Sequence, residues 1–261
     1  MNDAVLVLSG LDPCGGAGIS ADIETINQFG LTPLPIVTTM TVQNTQSVTE
    51  VQVVDVELIT KQFHHLQADI DFKVVKIGLL CASEQIRVIA DLVQDKTIVL
   101  DPIIKASSEE TLLQTQAIDT LKQDLLPLVK IITPNMAELH ALSGEKDEQK
   151  AIEKLACEWV LLTTTDVSDA SVEHRLYHQA KLVKSYTYDK LSGNYHGSGC
   201  TLSSAISALI ASGVDIEIAC KKALDYTYQT LLNAKNIGKM QLHPNRILVK
   251  NINDKVRVGW V

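Results

Sequence analysis

No Cys-x-x-Cys pair occurs among the five cysteines, Cys14, Cys81, Cys157, Cys200 and Cys220. Their number is odd and their spacing wide, which excludes a disulfide framework or a zinc site and fits a reducing compartment, with the cytoplasm as the expected location. No apolar run approaches the length needed to span a bilayer, and neither a charged leader nor a small-residue cleavage site accompanies the run Ala4–Leu8, so no membrane partner is expected. Basic residues are outnumbered, 23 against 31 acidic, giving a formal net charge of −8. Without a basic patch, nucleic acid is not an expected partner. Repeats, low-complexity stretches and Pro/Ser-rich linkers are also missing, so residues 1–261 read as one domain. Two nucleotide-binding signatures are absent: Gly-x-Gly-x-x-Gly and the terminal Gly-Lys-Ser/Thr of a Walker loop.

Strand-like runs alternate with amphipathic stretches. Ala4–Leu8, Pro35–Val42, Lys73–Ile77, Thr97–Leu100, Val129–Ile132 and Trp159–Thr163 read as strands, and His174–Val183 as a hairpin. Helices are predicted over Gly16–Phe29, Asp55 to Ala68 (inner face Leu58, Phe63 and Leu66), Ser83–Val93, Leu112–Leu125, Asn135–Leu142, Lys150–Cys157, from the Gly197–Gly199 turn to Ile210, and Ile216–Ala234. Repeated β-then-α order predicts an α/β sandwich with a mostly parallel central sheet flanked by helices. Ligands of such sheets bind at the carboxyl ends of the strands, so polar and glycine residues just after strands are the site candidates.

Five segments meet that criterion. His196-Gly197-Ser198-Gly199-Cys200-Thr201 opens a helix; its successive amides can face an anion, aided by the helix dipole. That suits charge developing on a transferring phosphoryl group. Cys200 at this mouth is expected to have a lowered pKa and to act as base toward a substrate hydroxyl; the alternative is a glycine turn capping a buried helix. Ser9–Gly18 follows the first strand, and its glycines permit either close ligand approach or tight helix–sheet packing. Gln43-Asn44-Thr45 closes the second strand with amides suited to the edge of a heteroaromatic ring, or with ordinary loop polarity. Asp101 ends a buried strand. Asn135 and Glu138, three apart, either help to hold Mg²⁺ through water or form a capping box. Lys105 can reach phosphate or be a solvated loop lysine, and His64 and His65 read as surface or half-buried.

In this order the segments resemble the hydroxymethylpyrimidine/phosphomethylpyrimidine kinase family. Gly10 through Asp22 is similar to that family's Gly-x-Asp-Pro-Ser-Gly-Gly-Ala-Gly-Ile-x-Ala-Asp, with Cys14 for serine. Val42–Thr45, Lys76–Leu80, Leu100–Pro102, Thr133–Glu138 and His196–Thr201 also fall in place. The resemblance implies a ribokinase-like three-layer fold and a homodimer. It implies phosphorylation, by ATP and Mg²⁺, of hydroxymethylpyrimidine and then its monophosphate, in thiamine synthesis. Carried over by position, Gly10, Asp12, Ala17, Val42, Gln43 and Leu79 line the pyrimidine pocket. Cys200 takes the base position, and Gly197, Ser198 and Gly199 form the anion hole. Asp101 and Glu138 serve the metal, and Asn135 and Thr163 the nucleotide. Four departures stand out: Thr163–Asp166 replaces Lys-Gly-Gly-His, Ala106–Glu109 replaces a Ser-Gly loop, Tyr195 replaces the threonine before His196, and the C-terminal Gly-x-Gly-Pro region is kept only as the remnant Ile237-Gly238. A pyridoxal-type kinase and a non-catalytic pyrimidine-binding relative are the alternatives.

Overall fold

The computed structural model describes residues 3–104, 115–155, 157–166, 168 and 170–247. Its frame follows from strands that are apolar on both faces. In β1 (Ala4–Leu11), Leu6 and Leu8 enter one core cluster while Val5 and Val7 enter another, because successive side chains point to opposite faces. β5 (Thr97–Leu100) repeats this, with Ile98 and Leu100 on one side and Val99 on the other. The first core lies under α2 (Val56–Asp69), α3 (Ser83–Val93), α4 (Thr115–Thr120), α5 (Met136–Ser143) and α6 (Glu148–Leu155). The second lies under α1 (Gly18–Gln28), α7 (Ser198–Ala211) and α8 (Ile216–Leu232).

The nine-stranded sheet has the order β3-β2-β1-β4-β5-β6-β7-β8-β9. The run from β2 (Thr32–Gln43) through β1, β4 (Val74–Ile77), β5 and β6 (Val129–Ile132) to β7 (Trp159–Asp166) is parallel. Antiparallel strands close both edges: β3 (Val48–Val53) on β2, and β8 (Ser171–His178) with β9 (Lys181–Asp189) beyond β7. The chain leaves β1 toward the second core and β4 toward the first. Their carboxyl ends therefore diverge, creating the switch-point crevice where ligands of open α/β sheets bind.

The predicted elements are found with shifted bounds, and several expectations need correction. β3 has too little alternation to be read as a strand; its burial is only partial because it covers one edge. It pairs with β2 only from Thr39 onward, which leaves the edge beside Pro33 and Pro35 free, as proline requires. Leu58 is exposed, and Ile59 with Phe63 faces the core instead; Asp55 caps this helix through the amides of Glu57 and Leu58. In the predicted Leu112–Leu125 helix, α4 gives way to a wider π-type turn over Leu121–Leu125; Leu112 lies outside the described residues, as do Lys105 and Ala106–Glu109. His64 and His65 are exposed. No helix among the described residues is long and apolar enough to cross a membrane.

One buried ion pair joins the layers beneath the crevice. Lys76 on β4 and Asp22 on α1 are both fully buried, with Nζ 2.8 Å from Oδ1 and 3.0 Å from Oδ2. Ser204 on α7 donates to Asp22 Oδ1 at 2.7 Å. Burial pushes the Lys76 ammonium toward neutrality, but the charge of Asp22 leads the groups that hold its pKa well above the ordinary lysine range. Removing one partner strands the other charge in the core. Lys76→Met is expected to cost about 3–5 kcal/mol in urea unfolding, and a second change, Asp22→Leu, to restore most of that loss.

Candidate active site

β1 runs out into Gly10 and the turn Leu11–Ala17, which is organised around one carboxylate. Asp12 Oδ1 accepts the Cys14 amide at 2.8 Å. Its Oδ2 accepts the Gly16 and Ala17 amides and His196 Nε2, each at 2.9 Å. Burial pushes Asp12 up, yet His196 and the turn amides hold it well below the usual carboxylate range. A carboxylate only accepts, so His196 carries its proton on Nε2. The Gln43 amide lies 3.4 Å from the same nitrogen. Cys14 Sγ donates to the Gln43 carbonyl at 3.5 Å, tying the end of β2 to this turn.

The second glycine turn meets the first. Gly197 sits at φ 79°, and a Cβ there would collide with the Gly16 carbonyl, so only glycine allows this approach. α7 starts at Ser198 with no side-chain cap, leaving its first amides available to an anion. Gly199 is less confined: a Cβ there would lie in ordinary contact, 3.4 Å from Asp101 Oδ1. Cys200 is buried one residue further.

The expected low thiol pKa is not found. Burial pushes Cys200 up to about 12; Lys76 and the Gly18 amide act against this, while Asp101 and Asp22 reinforce it. The thiol sits under the first turn of α7 among carboxylates rather than at an open positive mouth, and it hydrogen-bonds to Asp101. Burial likewise raises Asp101, which also takes a 3.5 Å bond from Ser203 Oγ.

Asn135 and Glu138 form the capping box: Asn135 Oδ1 accepts the Glu138 amide and Glu138 Oε2 accepts the Asn135 amide, both at 2.9 Å. One Glu138 oxygen remains without a described bond within this box. Burial, then the charge of Asp101, pushes Glu138 up to about 8. Asp101 and Glu138 both line the cavity, and two neighbouring carboxyls are oxygen donors of the kind a hard cation takes. Beside them Thr163 bridges to Asn135 and donates to the Pro134 carbonyl at 3.2 Å. Thr164, in the left-handed region at φ 57°, offers its amide to His174 Nδ1 at 3.3 Å. His174, Tyr188 and Tyr228 make an aromatic wall near it, with Tyr188 5.8 Å from His174 and 5.1 Å from Tyr228.

Most of these groups line one cavity of about 740 Å³. Gly10, Asp12, Ala17, Gln43 and Leu79 line its β1–β2–β4 side, and Gly197 through Cys200 its floor. Asp101, Asn135, Glu138 and Thr163 line the side toward β7. Val42 is the exception: it is 56% exposed and does not line the cavity, because strand alternation turns Thr41 and Gln43 inward instead. Sequence reasoning gave no role to His196, the Lys76–Asp22 pair or Arg246. The first three lie within motifs it quoted. Arg246 lies in an irregular stretch that carries no periodic signal.

A three-layer α/β sandwich whose strand ends bring an amide nest, two acids and a ring-sized polar pocket together defines a ribokinase-like phosphotransferase. Comparison with known proteins narrows this class. The chain belongs to the phosphomethylpyrimidine kinase family, whose model matches residues 12–245. It is 33% identical over 248 residues to the hydroxymethylpyrimidine/phosphomethylpyrimidine kinase of Rhizobium meliloti, covering 91% of this chain and 93% of the relative. The Aquifex aeolicus enzyme of the same description is 32% identical, with 90% and 96% covered. A crystal structure of phosphomethylpyrimidine kinase from Clostridium difficile superposes with a TM-score of 0.74 at 29% identity, covering 87% of this chain and 99% of that one. Pyridoxal kinase from Staphylococcus aureus, solved with AMP-PCP, has a TM-score of 0.84 and 94% coverage of both chains; at 21% identity it shows a shared fold.

The raised Glu138 pKa carries a pH signature. Between the unfolded value near 4.5 and the folded value near 8, the unfolded chain gives up this proton first, so stability falls as pH rises through that window. Glu138→Gln keeps the capping box but cannot ionise. The variant is expected to match the parent near pH 4.5 and to exceed it progressively toward pH 8.5, as measured by denaturant midpoints across pH.

Proposed function

We propose that this chain transfers the γ-phosphoryl group of ATP to the hydroxymethyl oxygen of hydroxymethylpyrimidine, and then phosphorylates the monophosphate, as a step in thiamine synthesis. Membership of the phosphomethylpyrimidine kinase family supports the reaction. The observation that carries it is the junction of the two turns: His196, at the mouth of the amide nest, bonds Asp12 of the opening turn while touching Gln43.

In this reading the ring lies against Gly10, Ala17 and Leu79, with its polar edge on Gln43. The hydroxymethyl oxygen points at Cys200 and the Gly197–Gly199 amides. The oxygen forms a bond to Pγ as the bond from Pγ to the bridging oxygen of ADP breaks, and the amides stabilise the charge on the transferring group. Cys200 is a neutral thiol in the free protein, so it takes the hydroxyl proton while passing its own to Asp101, to which it donates. Asn135 and Thr163 attend the nucleotide. Asp101 and Glu138 would hold Mg²⁺ through water, where the cation would offset phosphate charge. The lysine of the family pattern is replaced by Thr163, and the Thr164 amide is engaged by His174, so nucleotide contacts depend more on backbone and ring groups. One continuous sheet supports the reading of a single domain. Met40, Val42 and Val53, exposed on the β2–β3 ribbon, offer an apolar surface for the homodimer that the family resemblance implies, in the cytoplasm.

An ADP-release assay with ATP, Mg²⁺ and hydroxymethylpyrimidine is expected to show turnover, with a kcat/KM well above that for pyridoxal; no turnover, or the reverse preference, refutes this function. In the same assay Cys200→Ala is expected to lower kcat about 100-fold or more with little change in KM. An unchanged kcat removes Cys200 from the base role. Gln43→Ala is expected to raise KM for the pyrimidine about tenfold while kcat holds, as uniform binding is lost.

A further inference from the structure

The buried Arg246 has no part in the reading above, yet it touches both glycine turns. Its side chain is 1% exposed. Nη2 donates to the Gly16 carbonyl of the opening turn and, at 3.5 Å, to the Gly197 carbonyl of the anion turn. Nε donates to Thr201 Oγ1 at 2.8 Å in the first turn of α7, and Nη1 pairs with Glu24 of α1 at 3.2 Å. Thr201 Oγ1 itself donates to the Gly197 carbonyl at 2.8 Å. A guanidinium removed from water is costly unless its fork is fully used, and here the fork is spread over three elements.

The segment that delivers Arg246 is laced to the same loops. The His196 amide donates to the Leu242 carbonyl at 2.9 Å, and the Leu242 amide to the Asn194 carbonyl at 2.8 Å. Lys239 and Gln241 bond Thr45 at the end of β2, and Tyr226 OH donates to the Arg246 carbonyl at 2.8 Å. Residues 235–247 thus form a strap across the substrate side of the cavity, and Arg246 is the point where it grips both turns.

The two carbonyls matter for what lies on their far sides. The Gly16 peptide carries the Ala17 N–H that holds Asp12, and the Gly197 peptide carries the Ser198 N–H at the start of the anion nest. A cation on a carbonyl strengthens the N–H of the same peptide as a donor. We propose that Arg246 is a positioning residue for phosphoryl transfer: by bridging the Gly16 and Gly197 carbonyls it sets the separation of the acceptor-side turn and the phosphoryl-side turn. The substrate ring and the nucleotide each bind to one side, whereas the transferring group must touch both. Loss of the bridge therefore falls on the reaction step rather than on either ground-state complex.

This inference rests on the kinase reading, and its test separates the two. In full-length protein, Arg246→Met is expected to lower kcat about 30-fold, with KM for pyrimidine and ATP within about threefold of the parent. Arg246→Lys keeps the charge but not the fork, and is expected to lose nearly as much. Thr201→Val, nearly isosteric, removes one anchor and is expected to lose about fivefold in kcat. A merely structural role predicts loss in folded fraction or in KM with kcat per folded enzyme preserved, and that result overturns the proposal. If Arg246→Met does not fold, Arg246→Lys and Thr201→Val decide, and retention of kcat within about twofold in both overturns it. If the parent turns over neither pyrimidine, the kinase reading falls instead. The bridge is then read from affinity for ADP with aluminium fluoride, a mimic of the transferring group, against ADP alone. Selective loss of the mimic in Arg246→Lys supports the bridge, and equal affinities refute it.

Discussion

Contact between the Gly16 and Gly197 turns is the constraint on which the site depends. These turns lie far apart in the chain, one after β1 and the other before α7 and α8. Neither can retreat: a Cβ at Gly197 would meet the Gly16 carbonyl, and a Cβ at Gly16 would meet the His196 and His243 rings. Backbone approach this close needs bare Cα atoms and donors to satisfy the carbonyls thus enclosed. Asp12 and His196 supply one bond across the junction, and Arg246 supplies the others. Because the turns meet, the part of the cavity lined by Gly10 and Gln43 lies beside the amides that begin α7. The Lys76–Asp22 pair and Ser204 hold α1, α7 and β4 together beneath them, so the junction stands on a rigid base.

The charge arrangement follows from the same enclosure. Asp22, Asp101 and Cys200 are gathered around one buried ammonium, Lys76. One cation cannot compensate every acid, and the group with the weakest claim stays protonated. That group is the Cys200 thiol, which burial already pushes up, so a cysteine at a helix mouth, ordinarily acidified, is shifted the other way here. Glu138 is raised for a related reason: burial pushes it up and the charge of Asp101 adds to this.

Much of the architecture was legible in the sequence because its signals are local. β1, β4, β5 and β6 are short apolar runs ending in glycine or in Asp-Pro and Thr-Pro, and helix caps such as Asp55 and Asn135 are read directly from spacing. The motif residues of the site lie just after strands, and the sheet brings them to one cavity without further assumption. What escaped was non-local or depended on burial. β3 lacks periodicity because it covers only an edge, and Leu58 yields to Ile59 because the helix is rotated by its packing. Val42 turns outward by strand parity. The thiol pKa could not be inferred from the helix mouth alone, since burial in the folded chain sets its sign.

The strap of residues 235–247 sharpens that distinction. Its sequence departs from the family's Gly-x-Gly-Pro pattern, and it forms neither helix nor long strand, so pattern reading finds little there. Its contacts nonetheless reach the end of β2, the residue before the anion turn and both turn carbonyls. A glycine-rich strap could reach the same loops only through backbone. This chain instead uses a long cationic side chain from one residue, which frees the strap's own backbone from having to enter the junction. A change of pattern in this strap is therefore compatible with the close approach of the two turns. The two need not vary together, because the junction is fixed by which groups satisfy its carbonyls and not by which segment brings them.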